Sequence, residues 1–246
     1  MGNQIRSLQP GEPAPDFALP AANLEGTVSL ASLRGRPFLI GFFRGLHCPF
    51  CRRQLGQLSS LQPALRAAGV ETMAVINTPV ERARLYFRYK PTAVMLLCDP
   101  DCRTHRDFGV PRVDFLSSDS SERTEWPSRA TMAQFDAARV NPTGELDKPL
   151  QPMEANCVLN AKDGFELNEA DKAIFAKHGT QLVGHFLVNA AGIIGWAQIE
   201  ARDGPNDIGI FPTAIEILAV ADSLGDRTGA NHAPALQHDL PKRPGS

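Results

Sequence analysis

Residues 38 to 58 read FLIGFFRGLHCPFCRRQLGQL. The first six, Phe38 to Phe43, form a short, continuous apolar run of the kind a buried strand makes. The run breaks at Arg44-Gly45, and two thiols follow in Cys48-Pro49-Phe50-Cys51. Pro49 suits the first turn of a helix, where its missing N–H costs nothing. Leu55, Leu58, Leu61 and Leu65 then recur at helical spacing. The stretch therefore predicts a buried strand, a turn carrying two cysteines, and an amphipathic helix.

Working outward, VETMAVIN (70–77) predicts a strand, and TPVERARLYFRYK (78–90) a helix opened by Thr78 and Pro79. AVMLLCD (93–99) predicts a third strand, and DPDCRTHRDFGV (99–110) a short helix ending near Gly109. Alternating strands and helices mean an α/β unit with parallel neighbours. From 111 to about 165 the pattern lapses into Ser, Pro, Asn, Asp and charge, with weak periodicity only around Met132 to Arg139. So long a loop is often functional or packed on itself. Helical signals return in LNEADKAIFAKHG (167–179), with Asn168 to cap the helix and Gly179 to end it. Strands over 182–188 and 193–200, joined around Asn189 to Gly192, predict a hairpin. FPTAIEILAVADSL (211–224) predicts a closing helix with Ile215, Ile217, Leu218 and Ala221 inward. Residues 1–20 are rich in proline and are expected to wrap the surface as extended chain. Residues 226–246 are expected to be a disordered tail.

Of the 246 residues, 43% are hydrophobic and 21% charged, which suits a soluble chain able to bury a core without disulfide staples. The 25 basic and 27 acidic residues nearly balance, which argues against nucleic acid or a membrane surface as partner. No apolar run approaches the roughly 20 residues of a membrane span. The N-terminal MGNQIRSLQPGEPAPDF lacks an apolar secretory region, and Arg6 stands where a myristoylation motif needs Ser or Thr. A cytoplasmic protein is expected. Five cysteines in that compartment suggest thiol chemistry or metal binding before structural disulfides.

A cysteine at a helix N-terminus meets the positive end of the backbone dipole and unpaired N–H donors, both of which favour the thiolate. Arg44, His47, Arg52 and Arg53 add positive or protonatable groups nearby. The i, i+3 spacing of Cys48 and Cys51 is compatible with disulfide geometry, so one sulfur could attack and the other resolve. Three readings stand beside one another: a redox couple, two inert core thiols, or a metal site that adds Cys98 and Cys102 to the pair. The strand-turn-helix setting favours the first.

GEPAPDFALP, RPFLIGFFRGLHCPFCRRQLGQL, LLCDPDCRTHRDFGVP and GHFLVNAAGIIGWAQIE together resemble the peroxiredoxin-like branch of the AhpC/TSA family, in the thioredoxin-fold superfamily. The resemblance covers roughly residues 8–112 and 180–224. It implies an α/β, thioredoxin-like fold, a mixed central sheet flanked by helices, with a long insertion. It also implies thiol-dependent reduction of hydrogen peroxide or alkyl hydroperoxides. The expected partners are a peroxide substrate and a thiol reductant of thioredoxin or glutathione type, with no cofactor and no metal; a homodimer is compatible with it. On the family's Pro-x-x-x-Thr/Ser-x-x-Cys frame, Cys51 takes the nucleophile's place, Cys48 replaces the Thr and Arg44 the Pro. On a thioredoxin frame Cys48 attacks and Cys51 resolves. Exposure at the turn is expected to favour Cys48. Leu182-Val183-Gly184-His185 carries neither the cis-proline of thioredoxins nor the arginine common in peroxiredoxins, so a guanidinium would have to come from Arg44 or Arg52.

The expected catalytic set is Cys48, Cys51, Arg44 and His47, the last to assist proton transfer. Cys98 is read as a core residue; Cys102, at an exposed-looking helix start, could serve as a distal resolver, but a plain structural role is the favoured reading. Cys157 has no reading. His185, Trp126 and Trp196 are read as packing residues. The organisation expected is one domain over 1–225, with the insertion at about 112–180 and the tail at 226–246. A thiol:disulfide oxidoreductase and a non-catalytic zinc-binding module stand as alternative functions.

Overall fold

The computed structural model describes residues 6–117 and 120–225; the tail expected over 226–246 lies outside them. A two-stranded ribbon, β1 (Ala18–Pro20) and β2 (Thr27–Ser29), precedes β3 (Phe38–Phe43). Then come α1 (Pro49–Ala67), β4 (Glu71–Ile76), α2 (Val80–Tyr89), β5 (Met95–Cys98) and α3 (Arg103–Asp107). These match the expected order. β3, β4 and β5 pair in parallel, as alternation with helices requires.

The hairpin follows later in the chain as β9 (Gly184–Val188) and β10 (Ile194–Ile199). β9 adds antiparallel to β3, giving a five-stranded mixed sheet in the order β10-β9-β3-β4-β5. Every residue of β3 is buried, because helices or loops cover both faces of the sheet at its centre. Phe38, Ile40 and Phe42 enter one apolar cluster with Met73, Val75, Leu97 and Phe186. Leu39 and Phe43 enter the other, with Leu55, Leu58 and Leu65 of α1. The N-terminal segment lies along the hairpin, with Gly11 N–H donating to Ile194 O and Ala14 N–H to Gly192 O, and Phe17 is buried beneath it. Among the described residues no helix is long and apolar enough to cross a membrane.

Between α3 and β9 lies the expected insertion, but its stretch from 111 to about 165 is not the long loop that the lapse of pattern predicts. The insertion holds β6 (Arg112–Leu116), β7 (Arg129–Thr131), α4 (Met132–Ala137), α5 (Pro152–Lys162), α6 (Glu169–His178) and β8 (Thr180–Gln181). β6 pairs parallel to β7 and antiparallel to β8 in a separate small sheet. Helix α5 has no clean apolar stripe: Ala155 and Leu159 are buried while Met153 and Val158 face water. The predicted cap of α6 is present, with Asn168 Oδ1 accepting from Asp171 N–H and the Asp171 carboxylate accepting from Asn168 N–H. Phe135, Val140, Leu146, Ala155 and Leu159 of this segment share the apolar cluster that contains Cys48, Phe50 and Cys51.

The chain closes with α7 (Ala214–Gly225), which packs on α1. Ile217 and Ala221 are buried and Leu218 is partly so, but Ile215 is 81% exposed and is not an inward residue. It stands two positions before Ile217, about 200° away around the helix.

Candidate active site

The turn after β3 is shaped by a close approach. A Cβ at Gly45 would come within 2.7 Å of Asn77 Oδ1 and 3.0 Å of both His47 Nδ1 and Thr78 Oγ1, so a side chain there would have to displace these groups. Thr78 Oγ1 accepts from Leu46 N–H at 3.1 Å and anchors the turn to the end of β4. Cys48 then caps α1: its sulfur accepts from the Cys51 backbone N–H at 3.2 Å, with Pro49 at the first helical position.

Arg44 extends from the end of β3 toward both sulfurs, with Nη1 4.0 Å from Cys48 Sγ and 4.0 Å from Cys51 Sγ. It is fixed there by Glu200, just past β10. Nη2 lies 2.7 Å from Glu200 Oε1, and Nη1 lies 3.0 Å from Oε2. Glu200 is fully buried and also accepts from Val183 N–H at 2.9 Å and Gly209 N–H at 2.6 Å. Burial pushes its carboxyl upward, against a guanidinium and two backbone donors that favour the anion. Surrounded by donors, it is the carboxylate of a buried ion pair. Sequence reading missed Glu200; its only signal is an acid ending an otherwise apolar strand, 156 residues from its partner.

The two thiols differ sharply. Burial raises Cys48, yet the Cys51 thiol, the Arg44 charge and the Cys51 backbone N–H outweigh burial and the opposing Glu200, bringing it down to about 7. Burial and the Cys48 sulfur together hold Cys51 well above the usual thiol value. These surroundings favour the thiolate on Cys48 and the proton on Cys51.

The structure brings Arg44, His47, Cys48 and Cys51 together, but all four are buried, with each cysteine 1% exposed. The expected exposure of Cys48 is therefore corrected, and what distinguishes it from Cys51 is electrostatic. His47 lies edge-on to Phe175 at 5.4 Å, and neither ring nitrogen has a hydrogen-bond partner among the described residues. Burial, then Arg44, push it down to about 4, so it is neutral and adds no positive charge. Arg52 and Arg53 also turn from the thiols. Arg52 donates to Asn160 Oδ1 at 2.8 Å, pairs with Asp163 and lies 4.2 Å over the Phe165 ring. Arg53 donates to both Asp163 oxygens at 2.9 Å and pairs with Glu145.

Cys98 is a core residue, as expected. Cys102 is not exposed: it is 1% accessible, and burial pushes both thiols up to about 12. Among the described residues no group of three or more His, Cys, Asp or Glu side chains is placed to hold a metal ion, so the four-cysteine zinc reading has no site. Cys157 is exposed on α5. His185 is packed between Phe43 and Phe211, and Trp126 donates to Ala201 O from the insertion.

The AhpC/TSA family model matches residues 10–135. Two Mycobacterium tuberculosis proteins provisionally named as peroxiredoxins, from strains CDC 1551 / Oshkosh and ATCC 25618 / H37Rv, are each 30% identical over 94 residues. That alignment takes in 38% of this chain and 59% of each relative, so the chain spans less than two thirds of their length. Two solved structures share the fold. AhpC of Enterococcus faecalis is 16% identical, with TM-score 0.55 over 93% of this chain and 100% of that one. Reduced 2-Cys peroxiredoxin of Plasmodium vivax is 15% identical, with TM-score 0.54 over 90% and 99%. The mixed sheet flanked by helices is a thioredoxin-like fold, and with just over half of its length matched by the family model, the chain belongs to the AhpC/TSA family.

Proposed function

We propose that the chain is a thiol peroxidase in which Cys48 attacks hydroperoxides and Cys51 resolves the product. The observation that carries this reading is the environment of the Cys48 sulfur, which caps α1, accepts the Cys51 N–H at 3.2 Å and lies 4.0 Å from Arg44. The Cys48 thiolate attacks one peroxide oxygen, an S–O bond forms as O–O breaks, and an alcohol or water departs with a proton. Arg44 offers a fixed positive charge to the negative charge moving onto the leaving oxygen. His47, neutral, can donate a ring N–H but not an excess proton. The sulfenic acid on Cys48 then condenses with the Cys51 thiol, forming S–S and releasing water. An external thiol reductant restores both cysteines by exchange.

Mass spectrometry after brief stoichiometric peroxide treatment tests this. The wild type should lose two hydrogens as a Cys48–Cys51 disulfide forms. The Cys51→Ser variant should stop at a sulfenic acid on Cys48 that a dimedone probe traps, and Cys48→Ser should consume no peroxide. Undiminished peroxide consumption by Cys48→Ser would overturn the assignment.

A second reading, thiol:disulfide exchange, is favoured by one observation: the N-terminal cysteine of the CxxC caps α1 and accepts the Cys51 N–H, a setting that favours the thiolate which exchange requires. Reduction of insulin disulfides without peroxide turnover would select it.

A further inference from the structure

We propose that the insertion restricts the Cys48–Cys51 couple to low-molecular-weight reagents on both halves of its cycle: a small hydroperoxide oxidises it, and a small thiol, not a protein dithiol, reduces it. This rests on the thiol-peroxidase reading. The observation is a cover latched to the redox turn itself. From α5, Asn160 Nδ2 donates to His47 O at 3.0 Å. From α6, the Phe175 ring lies against His47. On the far side Gly209 sits so close that a Cβ there would lie 3.1 Å from the Phe50 ring. The two arginines that follow Cys51 tie the cover down. Arg52 donates to Leu46 O and Arg53 to Pro49 O, so both hold the turn's own carbonyls while they pair with insertion acids. Asp163 receives both arginines, and Glu145 receives Arg53.

Exchange with a protein disulfide needs the partner's backbone beside the attacked sulfur, and even weak protein contacts bury hundreds of Å². Here the cysteines are 1% exposed and the elements over them share their apolar cluster. Admitting a protein would require the cover to lift as a unit. A hydroperoxide or small thiol needs only a local opening a few atoms wide, which belongs to a smaller and more frequent fluctuation. The reductive half then balances with two thiols. One thiolate attacks a sulfur of the Cys48–Cys51 disulfide and expels the other cysteine. A second displaces the first as a free disulfide, and the cysteines take up the protons. Per turnover one hydroperoxide and two thiols give one alcohol, one water and one disulfide.

The test uses the full chain carrying Cys157→Ser, which removes the exposed thiol. Hydrogen peroxide turnover is driven by glutathione or by thioredoxin with its reductase at equal thiol concentration. In parallel, Cys48 is alkylated with iodoacetamide or with a maleimide carried on a polyethylene glycol chain. The latch is loosened by Asp163→Asn with Glu145→Gln and, independently, by Phe175→Leu. Expected are glutathione-driven turnover and iodoacetamide labelling of the latched protein, with thioredoxin and the polymer reagent slow. Loosening the latch should raise the two slow reactions about tenfold and leave the fast ones within about twofold. Equal rates for small and large reagents in the latched protein would overturn the proposal. So would labelling by neither reagent before global unfolding, because a couple closed to everything serves no small substrate. Size-selective labelling without any peroxide turnover would overturn the peroxidase reading and, with it, the peroxide half of the proposal, while the selective cover itself would stand.

Discussion

Cys48 and Cys51 stand three residues apart in one buried turn, yet their proton affinities are driven in opposite directions. The coupling is direct: as long as the Cys51 thiol points at the Cys48 sulfur, the charge belongs on Cys48. Its alkylation rate should therefore rise with pH through a midpoint near 7 and level off above it, because only the thiolate reacts. In Arg44→Met/Glu200→Gln, which removes the charge pair together, the midpoint should move up by roughly 1 unit. Iodoacetamide kinetics by mass spectrometry would read both profiles, and an unmoved midpoint would show that Arg44 does not hold the anion. Arg44, His47, Cys48 and Cys51 were legible in the sequence because they fall within eight residues at a strand-to-helix junction. Glu200 was not, since neither spacing nor motif links it to Arg44. Nor does spacing show that Arg52 and Arg53 would turn to acids more than 90 residues away rather than to the sulfurs.

At the scale of elements, the Arg44–Glu200 pair joins the end of β3 to the chain just past β10, two strands away in the sheet. Glu200 also receives the N–H of Val183 and of Gly209, so it gathers three separate segments around the base of the site. Arg44→Met alone strands a buried carboxylate and should cost roughly 3–5 kcal/mol. Adding Glu200→Gln, which keeps an oxygen for one backbone donor, should recover most of that loss. Denaturant melts of the two single variants and the double variant would measure this. Simple additivity of the two single losses would show that the pair is not coupled. The elements that position this pair were readable because β3, β4 and β5 are unbroken apolar runs and α1 keeps its leucines on one face. Helix α5 escaped notice for the opposite reason, since apolar and polar residues alternate around it. The exposure of Ile215 shows the same limit in an apolar helix, where every face offers candidates and only tertiary packing selects.

The whole molecule carries the cost of burying titratable groups. His47 and His185 are both pushed down to about 4, mainly by burial, from an ordinary value of 6.5. Between those values the unfolded chain binds more protons than the folded one, so stability should fall as pH drops from about 6.5 toward 4. His185→Gln should make that decline shallower, and a Tm flat across the window would contradict the burial of both rings. The residues that cover the site also bear on how the chain is organised. We propose that residues 112–180 unfold with the rest as one unit, because Phe135, Leu146 and Leu159 pack in the same cluster as α1 and the two site cysteines. The two tryptophans report on the two parts: Trp126 sits in the insertion and donates to Ala201 O, and Trp196 lies in β10 of the central sheet. Fluorescence melts of Trp126→Phe and Trp196→Phe each follow one part alone, and in urea both should show the same midpoint and the same slope once corrected for any shift in overall stability seen by circular dichroism. A Trp126 signal lost at lower urea, while circular dichroism still reports a folded sheet, would mean that the insertion melts on its own. In that case the cover over Cys48 would be a separate, weaker unit, and its lifting as a whole, which a protein-sized reagent needs, would follow its own equilibrium rather than the stability of the whole chain.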